Sequence, residues 1–147
     1  MYIPKSAKLT LIVNRIIMAI LALLLVFMPA LLRWYALQRP LSTAASTAIG
    51  VAFNICCVPV TAALWNLDRI LRNILASQVF IRQNVCLIRR IRWYCLATGL
   101  ICLPAAFFYP PLIFVVVIMG FLSLVVSVLG SIMHTAVEVW EENALTI

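Results

Sequence analysis

The sequence predicts an all-α polytopic membrane protein, with four transmembrane helices and a cytoplasmic helical hairpin between the second and third. Three observations predict it: four apolar spans near bilayer length, arginine concentrated on one side of them, and aromatic residues at their ends. The spans read 11–32, 44–64, 93–108 and 113–133. A hydrocarbon core about 30 Å thick takes about 20 largely apolar residues per helix. With 66% hydrophobic residues among 147, a water-soluble fold would expose far more apolar surface than water tolerates.

Loop charge sets the expected orientation. Lys5, Lys8 and Arg15 precede or open the first span, and Arg69, Arg72, Arg82, Arg89, Arg90 and Arg92 crowd the stretch between the second and third. Arg33 and Arg39 alone lie between the first and second, and the turn Tyr109-Pro110-Pro111-Leu112 is uncharged. The positive-inside rule then places both termini and the segment 66–92 in the cytoplasm, with the tail 134–147. The aromatic residues agree. Trp34, Tyr35 and Phe107-Phe108-Tyr109 close spans outside, whereas Trp65, Trp93 and Tyr94 sit at the inner interface.

Taken in order, the first span has the basic flank of a signal peptide. Its apolar run 16–32 exceeds a normal h-region and Pro29-Ala30-Leu31-Leu32-Arg33 offers no small-x-small cleavage site, so it reads as an uncleaved helix. Arg15 is expected to snorkel to the headgroups. The second span carries Ala44, Ala48, Ala52 and Cys56 as a ridge of small residues. Beyond Trp65, the residues Leu67, Ile70, Leu71, Ile74 and Leu75 make an amphipathic stripe continuing that helix. A break is expected around 76–80, after which Ile81, Val85 and Ile88 lead into the third span. There Cys95, Gly99, Cys102 and Ala106 form a second small-residue stripe. In the fourth span Gly120, Ser123, Ser127 and Gly130 form a third, continued by His134, and the helix is expected to end near Asn143. These stripes are expected to face one another inside a four-helix bundle, with a homodimer face as the alternative use of one of them. Pro29, Pro59 and Pro104 lie within spans and are expected to bend them.

Little in the chain reads as chemistry. The acidic residues, Asp68, Glu138, Glu141 and Glu142, all lie outside the spans, which disfavours proton-coupled export through a buried carboxylate. Cys56, Cys57, Cys86, Cys95 and Cys102 form no C-x-x-C pair and read as small packing residues, which disfavours a quinone-linked disulfide oxidoreductase. His134 and Glu138 share a helix face, but zinc takes three or four ligands and the chain has no second histidine, so no metal site is expected. No phosphate loop or Ser-His-Asp set can be assembled. The expectation is a non-enzyme without a cofactor. The net charge of +7 points to anionic headgroups at the inner face rather than to nucleic acid. Asn54, the strongly polar side chain in mid-span, is expected to make an interhelical hydrogen bond. Arg89, Arg90 and Arg92 are set against Glu138, Glu141 and Glu142 as pairs that would dock the tail on the hairpin; the other reading gives those arginines to lipid phosphates.

The stretch Val79-Phe80-Ile81-Arg82-Gln83-Asn84-Val85, then Ile88-Arg89-Arg90-Ile91, resembles the middle of the bacterial DUF2975 family of membrane proteins, and Glu141-Glu142-Asn143-Ala144-Leu145-Thr146-Ile147 resembles its ending. Ile81 stands where that family usually has a helix-capping Thr or Ser, and Ala144 where it has Asp. The resemblance implies a four-span protein of the bacterial cytoplasmic membrane with no established activity. Its members' gene context, beside helix-turn-helix regulators, implies a membrane-tethered regulatory partner. The expected function is therefore an interaction module binding a regulator or another membrane protein through Arg82, Asn84, Arg89, Arg90, Glu138, Glu141 and Glu142. The alternative is a small transporter or immunity-type protein that binds an apolar peptide or drug within the bundle near Asn54.

Overall fold

Helix signals sit where the chain must turn, and the backbone follows them. The structure, a computed structural model, describes residues 5–146. It consists of α1 (Lys5–Gln38), α2 (Thr43–Leu75), α3 (Arg82–Phe108) and α4 (Leu112–Leu145). Each is long and apolar enough to cross a membrane. Pro40 disfavours helical geometry at Arg39, and α1 stops just before it. Ser42 restarts the helix, its hydroxyl accepting from the Ala45 amide at 3.2 Å. Pro110 and Pro111 precede α4, where a missing N–H has no intrahelical partner to lose. The helices run on through Pro29, Pro59 and Pro104.

Between α2 and α3 the chain closes a Schellman turn. The Gln78 amide donates to the Asn73 carbonyl at 2.9 Å and the Ser77 amide to that of Ile74 at 3.0 Å. Ser77 takes the left-handed position, φ 64°, that glycine usually fills. On the other side of the turn Ile81 occupies the N-cap of α3 with no side-chain hydrogen bond, although its extended backbone suits a capping hydroxyl. Ile81→Thr is accordingly expected to add about 1 kcal/mol of stability, read as a raised unfolding temperature in detergent.

The helices form an open row rather than the expected closed bundle. α1 packs on α2, α2 on α3 and α3 on α4; α1 does not close against α4. The small-residue stripes therefore meet pairwise. Ala52 and Cys56 are buried, and the Cys56 sulfur lies 3.6 Å from that of Cys102 on α3. Gly99 faces α4, a Cβ there standing 3.6 Å from the Cβ of Met119, while Gly120 has open space where its Cβ would be. α2 and α3 hold most of the core. α1 buries only Ala7 and Asn14, and α4 only Ser123 and Val137. At the end opposite the α2–α3 turn, the hydroxyls of Tyr35 and Tyr109 meet at 3.1 Å, joining α1 to the turn before α4.

Candidate functional site

Polar side chains gather at the end of the row where α2 hands over to α3. At the α1–α2 seam, Asp68 is 6% exposed and lies between two arginines. Its carboxylate is 2.6 Å from Arg72, one turn along α2, and 3.3 Å from Arg15 across the seam. Asn14, next to Arg15 and 3% exposed, donates to the Leu64 carbonyl at 3.1 Å. Arg15 thus holds a partner helix instead of merely reaching for headgroups.

The turn itself is held from within by Asn84, which is fully buried. Its amide nitrogen donates to the carbonyls of Gln78 at 3.0 Å and Val79 at 2.9 Å, and its oxygen accepts from Asn73 at 2.8 Å. This corrects its expected role as a contact for a partner: the side chain is spent on the turn. α4 then reaches back to the same turn. Arg82 binds Glu141 with two hydrogen bonds of 3.0 and 2.7 Å, and the rings of Phe80 and Trp140 stack with centroids 5.7 Å apart.

The tail docks, but through a different arginine from those expected. The antiparallel register of α3 and α4 explains why. Gly99 lies beside Met119, Arg92 beside Ser127, and Ile88 beside Gly130, a register that carries the acidic stretch of α4 past Arg89 and Arg90 to the α2–α3 turn, where Arg82 reaches about one helical turn further along α4 to Glu141. Arg89 and Arg90 stand about two turns, roughly 11 Å, away from Arg82. Both are exposed and neither forms an ion pair among the described residues; Glu138 pairs with His134 at 3.6 Å, and Glu142 is exposed. Arg92 donates to Ser127 at 3.2 Å. Asn54 is exposed and donates to the Gly50 carbonyl of its own helix at 2.8 Å, not to a neighbouring helix.

Hydrogen bonds from Arg82 hold the Glu141 carboxyl below its ordinary value of 4.5, and the same bonds raise the Arg82 guanidinium. A lowered carboxylate stabilises the docked state fully above the ordinary value, and the contribution is lost as pH falls through the lowered one. Protease protection of the tail is therefore expected to stay flat from about pH 8 to about pH 5 and to fall below that. Loss already near neutrality would place the docking on another titrating group.

Four apolar helices in a row, with a polar assembly at one end, define a polytopic helical protein of membrane type. The family model described as "Protein of unknown function (DUF2975)" matches residues 35–147, and the chain belongs to that family. The match opens at Tyr35, so it covers α2, α3 and α4 and leaves most of α1 outside. No curated protein and no solved structure matches the chain.

Proposed function

We propose that the chain is a non-enzymatic interaction module of a bacterial cell membrane, with the arginine-rich end and both termini in the cytoplasm. The observation that carries this reading is the docking of Glu141 and Trp140 onto Arg82 and Phe80. It joins the end of α4 to the α2–α3 turn as one surface, on which Arg89, Arg90, Glu138 and Glu142 remain exposed. A surface of unpaired arginines beside exposed carboxylates suits a protein partner of mixed charge, such as a regulator held at the membrane.

A crosslinked pull-down from native membranes, comparing the intact chain with one truncated after Val137, tests it. The expected result is a specific partner recovered with the intact chain and lost on truncation. Recovery of lipid and the chain itself in both cases would overturn it. Orientation has its own reporter. Cys86 is the exposed cysteine and the other four are buried. A membrane-impermeant maleimide is expected to label Cys86 in inside-out vesicles and to spare it in intact cells.

A further inference from the structure

We propose that the cleft between α3 and α4 at the arginine-rich end binds a phosphate group, carried by an anionic lipid headgroup or free in solution. The cleft has a volume of about 330 Å³, enough for a phosphoryl group with part of its ester. Its polar wall is Arg89 and Arg92 from α3, with Ser127, Ser131, His134 and Thr135 from α4. No described carboxylate lines it. Glu138, the nearest acid by sequence, pairs with His134 from outside the lining.

Arg92 is held in place. Its Nη1 donates to the Ser127 hydroxyl at 3.2 Å, and its guanidinium carbon stands 5.2 Å from the centroid of the Trp93 ring. Its carbonyl accepts from Ser123 at 3.4 Å, pinning that stretch of α3 to α4. Yet its Nε–H is buried with no acceptor. A buried cationic donor left unpaired is costly, and a small shift of the Arg92 side chain that lets an anion reach it removes that cost. The Nε edge of a guanidinium is also the edge that meets phosphate oxygens in pairs. Ser127, since it accepts from Arg92, keeps its own proton to donate. Arg89 brings a second positive charge that no described carboxylate neutralises.

The lipid source rests on the membrane reading above, whereas the phosphate chemistry does not. The two also fail separately, because truncation after Val137 removes the tail and leaves every cleft residue. The test uses the purified intact chain, first in neutral detergent titrated with inorganic phosphate, then in phosphatidylcholine vesicles with and without phosphatidic acid. Thermal unfolding reads the binding. The expected result is a raised unfolding temperature with at least one probe, unchanged by Arg69→Gln, with apparent affinity weakened about tenfold by Arg89→Gln and by Arg92→Gln. A response to phosphatidic acid alone assigns the headgroup, and a response to inorganic phosphate in detergent assigns the free anion. No response to either probe overturns the site. So does an equal loss with Arg69→Gln, which would reduce the effect to surface charge. Should Arg92→Gln fail to fold, the exposed Arg89→Gln decides.

Discussion

Replacing Arg15 and Arg72 together by Met is expected to destabilise the protein by about 3–5 kcal/mol, because it strands the Asp68 carboxylate. The side chain of Asp68 is only 8% exposed, and the two arginines are the cations within ion-pair distance among the described residues. The single changes should be much milder. Both arginine side chains are at least half exposed, and either one left in place still answers the buried charge. Arg15→Met removes the 3.3 Å pair and leaves the 2.6 Å pair with Arg72, a loss of about 1 kcal/mol or less. Adding Asp68→Leu to the double variant is expected to restore most of the lost stability, since an apolar replacement of a whole buried pair is often neutral. Unfolding in detergent, followed across the four variants, checks the cycle. A double variant as stable as the parent would show that water reaches Asp68 freely. A triple variant that stays unstable would show that the seam needs the charges themselves.

Asn84→Leu is expected to cost about 2–4 kcal/mol, although it places an apolar side chain at a fully buried position. The exchange leaves the Gln78 and Val79 carbonyls and the Asn73 amide without their partner inside the turn. Asn84→Asp separates the causes. It keeps the shape and the oxygen that accepts from Asn73, but turns both donated bonds into contacts between oxygens. If the donated bonds matter most, Asn84→Asp is as harmful as Asn84→Leu. If packing decides, the aspartate variant will be near the parent. Limited proteolysis within 76–81, alongside thermal unfolding, locates the damage. An undisturbed turn in both variants would remove Asn84 from its structural role.

The four helices were legible because their signals are local: four apolar runs near bilayer length, the uncharged turn Tyr109-Pro110-Pro111-Leu112 between the last two, and amphipathic periodicity on both sides of the break at 76–80. Their arrangement was much less so. Outward and inward faces are equally apolar in such helices, so a ridge of small residues announces close packing without naming the partner. Gly120 belongs to such a ridge, yet a Cβ there would meet no described atom within 4 Å. That the acidic stretch of α4 reaches the α2–α3 turn, beyond Arg89 and Arg90, was recoverable in principle, since the short turn after Phe108 fixes the register of α3 on α4. Matching acidic and basic clusters by sign alone led to Arg89 and Arg90 instead. Asn84 was misplaced for a different reason. Its partners are carbonyl groups, which every residue carries, so no side-chain pattern betrays them.

The open row also has a meaning in time. Because each helix packs on the one made just before it, the tertiary contacts are local in chain order, and such topologies fold fast. The α1–α2 seam, with its Arg15–Asp68 pair, can be complete before α3 has been synthesised. Two contacts must wait. Tyr35 meets its partner only when Tyr109 has emerged, and the α2–α3 turn receives its outer brace only when Trp140 and Glu141 arrive. A ribosome stalled within α4 would therefore hold a chain whose helices are paired but whose arginine-rich surface is still unfinished.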